Sequence, residues 1–249
     1  MEFIDLVAQQ NRIIDKIEAN IKTVLNHGKY IMGPEVQALE KHLADFVGVK
    51  HAISCASGTD ALLMALMAYN IGPGDAVITT PFTFIATAEV ISLLGATPVF
   101  VDICPDTYNI DPRKIEEALH NLKNKSLTPR AIITVDLFGL AADYDELIRV
   151  AQDNNLILIE DAAQSFGAEY KGKKACSFGD VACTSFFPAK PLGCYGDGGM
   201  CFTRHPEIEG ILKSIRVHGQ GGHKYDNVRI GINGRIDTLQ AAILMAKFD

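Results

Sequence analysis

The chain alternates between short apolar runs and longer segments with helical spacing, and this alternation restricts its fold most strongly. The apolar runs predict strands at 51–57, 76–80, 97–103, 131–138, 156–161, 181–187 and 199–203. Strands that are apolar throughout and separated by helices form largely parallel sheets covered on both faces. We therefore expect an α/β fold of three layers, α/β/α, around a mostly parallel seven-stranded sheet.

The segments between and beside the strands predict helices. Val36, Leu39 and Leu43 repeat at helical spacing, with Pro34 near the start of the segment and Gly48 at its end, as helix termini prefer. Comparable segments occupy 33–48, 58–70, 83–95, 111–122, 143–155 and 206–217, and residues 236–249 form another. Each helix thus separates consecutive strands or flanks the sheet.

Composition excludes several classes of protein. The formal charge is −7 and no long basic run occurs, which argues against nucleic-acid binding. No apolar run approaches the roughly 18 residues of a membrane span. The N-terminus lacks the basic and apolar regions of a signal peptide. The six cysteines form no CxxC pair and no zinc spacing, which is typical of a reducing compartment. We expect a cytoplasmic protein.

Two histidines, His218 and His223, are close enough in sequence to raise the question of a metal. They lack a third ligand and an i, i+4 helical register, so we expect no metal site. The segment that carries them is interpreted as a polar loop at the mouth of the active site.

Polar residues follow three of the predicted strands. Residues 57–59 lie at the end of the first predicted strand, and Asp161 and Gln164 lie at and after the end of the fifth. Ser185 and Lys190 lie at and after the end of the sixth strand. Ligands of open α/β sheets bind beyond the carboxyl ends of the strands. We therefore expect these groups to converge on one edge of the sheet.

Two of these features have ordinary alternatives. The Ser-Gly-Thr turn at 57–59 opens a helix, so it offers an anion site, although a simple N-cap is the commoner explanation of such a turn taken alone. Asp161 ends a strongly apolar strand, where a carboxylate needs a cation such as a metal, an arginine or a protonated heterocycle. The alternative is a helix-capping aspartate. No GxxxxGK[ST] loop accompanies this acid.

Lys190 lies between Pro188 and Pro191, and glycines follow it. Prolines restrict the direction of the lysine, and glycines let the backbone approach a flat ligand closely. A lysine that forms a Schiff base also needs a lowered pKa. Together, an anion turn, an acid at a strand end and a lysine in a stiffened loop describe a site for pyridoxal 5'-phosphate.

The same residues carry a resemblance to a known family. The chain resembles the DegT/DnrJ/EryC1/StrS family of sugar-nucleotide aminotransferases, which are pyridoxal phosphate enzymes of fold type I. The motifs, in family order, are SGTDAL, PFTFIATAE, EDAAQSFGA, SFFPAKPLGCYGDGG, RVHGQ and GINGRIDTLQAA. Within the family, the lysine and acid segments are most similar to transaminases acting on UDP-2-acetamido-2-deoxy-3-oxo-glucuronate.

The resemblance implies a role for each residue around the cofactor ring. Lys190 would form the Schiff base and shuttle the proton, and Asp161 would keep the pyridine nitrogen protonated. Gln164 would lie beside the phenolic oxygen of the ring. Phe84 would stack on the ring face, where the alternative is an ordinary core phenylalanine.

The remaining residues implied by the resemblance bind phosphate and substrate. Gly58, Thr59 and Ser185 would bind the cofactor phosphate. Asn233 would reach the phosphate of the neighbouring subunit's cofactor, which implies a homodimer with active sites at its interface. Arg235 would bind a substrate carboxylate, although an exposed surface arginine is the alternative.

The function implied is transfer of an amino group from L-glutamate to a keto sugar nucleotide in bacterial surface polysaccharide synthesis. Dehydratases of the family replace the lysine with histidine, whereas this chain keeps Lys190. A 4-keto-sugar aminotransferase of the same family, or a non-catalytic or regulatory protein with this fold, are the alternatives.

The resemblance also bears on domain organisation. Family members are longer, so residues 1–249 are expected to be the cofactor-binding large domain with an N-terminal helical segment, and the C-terminal small domain to be missing. Ile236, Leu239, Ile243 and Leu244 lie on one side of the last predicted helix. This apolar face is expected to remain exposed.

Overall fold

The computed structural model of the chain describes residues 4–123, 125–223 and 225–248. Residues 1–3, 124, 224 and 249 of the predicted domain lie outside the described residues. The helices are α1 Leu6–Asn11, α2 Ile14–His27, α3 Pro34–Val47, α4 Gly58–Ala68, α5 Ala86–Leu93, α6 Ile115–Leu122, α7 Tyr144–Asp153, α8 Pro206–Ile215 and α9 Thr238–Phe248. The strands are β1 His51–Cys55, β2 Asp75–Thr79, β3 Thr97–Phe100, β4 Thr128–Val135, β5 Ile157–Asp161, β6 Glu169–Tyr170, β7 Lys173–Lys174, β8 Val181–Ser185 and β9 Gly199–Thr203.

Seven strands form one sheet, in the order β1-β9-β8-β5-β4-β2-β3. All neighbouring pairs are parallel except the two that involve β9, which runs antiparallel to β1 and β8. A parallel partner needs a long crossover, usually a helix, whereas residues 186–198 connect β8 to β9 without one. The predicted mostly parallel sheet is confirmed. The sequence did not predict the small ribbon of β6 and β7.

The hydrophobic core lies in two parts, one on each face of the sheet, because successive strand residues point to opposite faces. Ile53, Val77, Ile133 and Ile159 point to one face, where they are buried with α4, α5 and α8. Their sequence neighbours point to the other face and are buried with α3 and α9 at one side and with α6 and α7 at the other. Successive strand residues face opposite sides of a sheet, so a strand that is apolar at every position is covered twice. The expected three layers follow.

The last helix contradicts the expectation of an exposed apolar face. Ile236, Ile243 and Leu244 are 1%, 4% and 0% exposed, and Leu239 is partly buried. Helix α9 packs against α2 and α3 of the N-terminal segment, where Ile243 contacts Ile17. The prediction was wrong because the partner of this face lies more than 200 residues earlier in the chain. None of the helices in the described ranges is long and apolar enough to cross a membrane.

One buried ion pair joins three elements around the first strand. Arg216, at the end of α8, donates from Nη1 to Glu40 Oε1 of α3 at 2.5 Å and to the Ser54 carbonyl of β1 at 2.9 Å. The Arg216 and Glu40 side chains are only 4% and 13% exposed. Loss of one partner would leave a buried charge without compensation.

We therefore expect Arg216→Leu to lower the free energy of unfolding by about 3–5 kcal/mol, because the buried Glu40 carboxylate loses its positively charged partner and keeps only the neutral N–H and hydroxyl donors of Ser54. Urea denaturation measures the change. Arg149→Leu is the matched control, because Arg149 pairs with Glu146 and Asp153 on the exposed surface of α7. It should cost less than about 1 kcal/mol. Equal costs for the two variants would contradict the prediction.

Candidate active site

A cavity of about 410 Å³ opens beyond the carboxyl ends of β5 and β8. Seven of the nine predicted site residues line it: Gly58, Thr59, Phe84, Asp161, Gln164, Ser185 and Lys190. They come from four separate segments of the chain, 58–59, 84, 161–164 and 185–190. The structure thus brings the residues together at the edge of the sheet where the topology predicts a ligand.

Asp161 lies at the base of this cavity as the last residue of β5. It is 6% exposed. Its Oδ2 accepts a hydrogen bond from Thr87 Oγ1 at 2.8 Å, and its Oδ1 accepts one from the Ala163 N–H at 3.2 Å. Burial raises the pKa of Asp161, while the two hydrogen bonds and the positive charge of Lys190 act against that rise. A cation in the cavity would stabilise this carboxylate further.

The start of α4 forms the anion-binding side of the cavity. Ser57 caps the helix: its Oγ accepts from the Asp60 N–H at 3.0 Å, and its carbonyl accepts from the Ala61 N–H at 3.0 Å. The first N–H groups of a helix have no partner within it, so those of Gly58 and Thr59 remain for a ligand. The N-cap is therefore present, and it leaves these N–H groups available for the anion site, which remains a prediction.

Gly58 is required at this position by a close contact. A Cβ atom on Gly58 would lie 2.7 Å from the Cβ atom of Ser185, at the end of β8. The glycine thus lets the helix start approach the strand end, which brings the Ser185 hydroxyl beside the first turn of α4. Helix amides and a hydroxyl at one point suit a phosphate.

Lys190 follows a tight turn in the connection between β8 and β9. The Lys190 N–H donates to the Phe187 carbonyl at 2.8 Å, and Pro188 occupies the second position of this turn, where its fixed φ is favoured. Behind the turn, a Cβ atom on Gly193 would lie 2.4 Å from the Pro188 carbonyl oxygen. The prolines and glycines therefore fix a compact loop that presents the half-buried Lys190 to the cavity.

Gln164 and Phe84 flank the cavity. Gln164 Oε1 accepts a hydrogen bond from the Phe138 N–H at 2.8 Å, which leaves the Nε2 group of the amide to donate to a ligand. Such a donor suits the phenolic oxygen that the resemblance implies. Phe84 is 67% exposed, so it is not the core phenylalanine of the alternative interpretation.

Asn233 and Arg235 are not among the residues that line the cavity. Asn233 is exposed, and its Oδ1 accepts a hydrogen bond from Arg235 Nη2. Their predicted contacts with a neighbouring subunit's cofactor and with substrate remain predictions. His218 and His223 do not line the cavity either. Within the described ranges, no three His, Cys, Asp or Glu side chains gather in a way that could hold a metal ion.

Sequence reasoning missed several residues of the cavity. Thr87 and Thr83 line it, and their hydroxyls lie 2.9 Å apart, so they form a short chain of hydrogen bonds to Asp161. The signal was available, because two threonines four residues apart at the start of a helix share one face. Phe187 and Asp197 also line the cavity.

Two further carboxyl groups are buried behind Asp161. Burial raises the pKa of Asp136 to about 6 and that of Glu160 to about 8. Both are 0% exposed. Glu160 points away from Asp161 and accepts hydrogen bonds from the N–H groups of Cys176 and Phe178 at 2.5 and 2.9 Å. Glu160 directly precedes Asp161 in the sequence, but its hydrogen bonds hold the segment 176–178 behind the site.

These groups predict that the cofactor-free protein loses stability as the pH rises from 5 to 8. The unfolded chain releases both protons below about pH 5, whereas the folded chain keeps those of Asp136 and Glu160 up to about pH 6 and pH 8. More protons bound in the folded state means that raising the pH favours unfolding, by about 1.4 kcal/mol per pH unit for each proton. Urea denaturation across this range measures the slope.

Asp136→Asn serves as the comparison, because it removes one titrating group. Between pH 5 and pH 6 the free energy of unfolding of this variant should fall less steeply than that of the wild-type chain. Above pH 6 it should keep falling, because Glu160 still titrates there. Constant or rising stability of the wild-type chain from pH 5 to pH 8 would contradict the prediction.

The residues present fit pyridoxal 5'-phosphate. Helix amides and the Ser185 hydroxyl suit its phosphate, and the buried Asp161 suits the protonated ring nitrogen. Lys190 can attach to its aldehyde carbon, and Phe84 offers an aromatic face. All of these groups line one cavity.

Comparisons with known proteins agree with this chemistry. UDP-2-acetamido-2-deoxy-3-oxo-D-glucuronate aminotransferase of Pseudomonas aeruginosa is 56% identical over 100% of this chain and 67% of the relative. A DegT DnrJ EryC1 StrS aminotransferase from Brucella abortus is 53% identical, with a TM-score of 0.98 over 100% of this chain and 67% of the other. NtdA from Bacillus subtilis, solved with bound cofactor PMP, is 32% identical, with a TM-score of 0.91 over 99% of this chain and 55% of the other.

The chain spans about two thirds of the length of the curated relatives it matches. The model of the DegT/DnrJ/EryC1/StrS aminotransferase family matches residues 11–249. With a match of that extent and the same fold in the Brucella abortus structure, the chain belongs to the DegT/DnrJ/EryC1/StrS aminotransferase family.

Proposed function

We propose that this chain acts as a pyridoxal phosphate-dependent aminotransferase that transfers an amino group to a keto sugar nucleotide. The carrying observation is the convergence of Lys190, the buried Asp161 and the first turn of α4 on one cavity. A helix cap, a surface lysine and a capping aspartate would have no reason to meet there. We also propose that this chain is the cofactor-binding large domain of the enzyme.

Lys190 and Asp161 divide the chemical work. The cofactor, when bound, supplies an electron sink for the charge that develops as a substrate carbon loses its proton. Lys190 would hold the cofactor covalently, and its free Nζ would accept and return that proton at the substrate carbon. Asp161 keeps the ring nitrogen protonated through its negative charge, and its low exposure strengthens this interaction.

The other cavity residues bind and orient. The N–H groups of Gly58 and Thr59 and the Ser185 hydroxyl hold the phosphate, which anchors the cofactor at one end. The Nε2 group of Gln164 donates to the ring oxygen, and Phe84 covers one face of the ring. These contacts would leave the opposite face of the cofactor ring open to the amino donor and acceptor. Holding the reacting groups in one orientation lowers the barrier to proton transfer.

L-glutamate is the proposed amino donor, and a UDP-2-acetamido-2-deoxy-3-oxo-glucuronate-like nucleotide is the proposed acceptor. The Pseudomonas aeruginosa relative, whose name specifies that substrate, supports this choice. Arg235 is the proposed partner of the substrate carboxylate. The pathway would then be the synthesis of bacterial surface polysaccharide.

A homodimer is part of the proposal. Asn233 is exposed and does not line the cavity of its own chain, which is compatible with a contact to the cofactor phosphate of a neighbouring subunit. A cytoplasmic location is also proposed, because all six cysteines are free thiols, as in a reducing compartment.

We expect purified protein with added pyridoxal phosphate to absorb visible light, and borohydride to fix the cofactor on Lys190. Peptide mass spectrometry locates the modified lysine. Lys190→Ala should lose both signals. Lys213→Arg is the control and should keep them, because Lys213 is an exposed residue of α8 that pairs with Glu209. Modification of another lysine would remove Lys190 from its proposed role.

Addition of L-glutamate then separates an enzyme from a non-catalytic or regulatory protein with the same fold. An aminotransferase should convert its bound cofactor to pyridoxamine phosphate and release 2-oxoglutarate, whereas a pure binder should not respond. With a 3-keto and a 4-keto sugar nucleotide as acceptors, the position of the new amino group distinguishes the proposed substrate from the 4-keto alternative.

Asp161→Asn should preserve the fold and cofactor attachment but lower the rate of the glutamate half-reaction by at least about a hundredfold. The variant lacks the charge that holds the ring nitrogen protonated, and removal of such a preorganised charge typically costs 10²–10³ in rate. Single-turnover absorbance changes measure the rate. A rate equal to that of the wild-type chain would make Asp161 a helix cap only.

A further inference from the structure

Asp136 is a buried carboxylate outside the cavity, in the residue after β4, and it accepts three hydrogen bonds. Its Oδ1 accepts from the Ala142 N–H at 3.0 Å and from the Tyr144 hydroxyl at 2.8 Å. Its Oδ2 accepts from the Ser165 hydroxyl at 2.9 Å. Asp136 is 0% exposed and Ser165 is 2% exposed. The three donors come from its own loop, from α7 and from the loop that follows β5.

The backbone around Asp136 connects the same two loops. The Asp136 N–H donates to the Asp161 carbonyl at 3.1 Å. Two residues later, the Phe138 N–H donates to Gln164 Oε1 at 2.8 Å. Three hydrogen bonds thus join the loop 136–142 to the end of β5 and the loop after it. Their acceptors or donors there are the Asp161 carbonyl, the Gln164 side chain and the Ser165 hydroxyl.

We propose that Asp136 is a positioning residue of the active site, which fixes Gln164 through the bond between its carboxylate and Ser165. The proposal rests on the proposed function, because it concerns how Gln164 meets the cofactor. Ser165 follows Gln164 directly, so a fixed Ser165 limits the backbone from which the Gln164 side chain extends.

The geometry of the loop shows why such a bond is needed. Phe138 has a φ of 56°, a left-handed conformation that costs a residue other than glycine roughly 1–2 kcal/mol. In that conformation its N–H donates to Gln164 Oε1. The Asp136 carboxylate holds the loop closed through Ala142, and Asn109 Oδ1 holds it through the Leu137 N–H at 3.0 Å.

A carboxylate suits this position better than an amide would. The three donors need acceptor atoms on both oxygens, and an ionised carboxylate accepts at both and donates at neither. In Asp136→Asn, one oxygen can still serve Ala142 and Tyr144, whereas an NH₂ group would face the Ser165 hydroxyl and donate to it. That substitution replaces the charge-assisted bond to the Gln164 loop with a weaker neutral bond of reversed direction.

The test compares Ser165→Ala with Tyr144→Phe. Both substitutions delete one buried hydroxyl that donates to the Asp136 carboxylate, at 2.9 and 2.8 Å, but only Ser165 lies on the Gln164 loop. Hydrogen exchange of the Phe138 amide in cofactor-free protein and the dissociation constant of pyridoxal phosphate are both measured. Tyr144→Phe is the control for general loss of stability.

Ser165→Ala should speed exchange of the Phe138 amide and raise the dissociation constant, each by about tenfold, the scale of one lost hydrogen bond. Asp136→Asn should follow the same pattern, and it supplies a second variant if Ser165→Ala folds poorly. Tyr144→Phe should leave the dissociation constant and the Phe138 exchange near wild-type values.

Two results would overturn the proposal. One is unchanged Phe138 exchange in both Ser165→Ala and Asp136→Asn. The other is an equal effect of Tyr144→Phe, which would make the carboxylate a general structural element. Wild-type protein that does not bind pyridoxal phosphate would instead refute the proposed function, while Phe138 exchange would still report on the connection between the loops.

Discussion

Burial of the Asp161 carboxylate is the constraint on which the rest of the site depends. A charge at the end of an apolar strand is costly unless other groups compensate it. The chain supplies the Thr87 hydroxyl, the Ala163 N–H and the positive charge of Lys190, and the pKa of Asp161 remains raised nevertheless. These groups lie in α5, in the loop after β5 and in the connection between β8 and β9, so full compensation of the carboxylate needs all three parts of this sheet edge in place.

The sheet topology makes that assembly possible. Parallel strands place the loops that follow β4, β5 and β8 at one edge, and the reversal into β9 keeps the lysine loop at the same edge instead of carrying it across the sheet. Gly58 then lets α4 begin against Ser185. The first turn of α4 and Lys190 thus line one cavity, because the connection from β8 to β9 is short and Gly58 has no side chain.

Local patterns predicted the strands of the seven-stranded sheet, most helices and the polar residues at the strand ends, because each of these depends on neighbours within a few positions. Phe84 and the role of each cavity residue came from the family resemblance instead. Contacts between distant segments could not be predicted in the same way. Helix α9 is covered by α2, and Asn20 Nδ2 donates to the Ala242 carbonyl at 3.0 Å across 222 residues. The bond between Asp136 and Ser165 likewise joins two loops whose sequences do not reveal their proximity.

Three carboxyl groups at this edge are almost equally buried, yet they differ in how many hydrogen bonds the protein gives them. A carboxylate has about four acceptor sites. Asp136 uses three of them, and Glu160 accepts from the backbone of 176–179. Asp161 accepts only two bonds from the described residues and faces the cavity. Its remaining acceptor capacity is available to a ligand, so incomplete pairing separates the acid proposed to meet the cofactor from the acids that hold the loops.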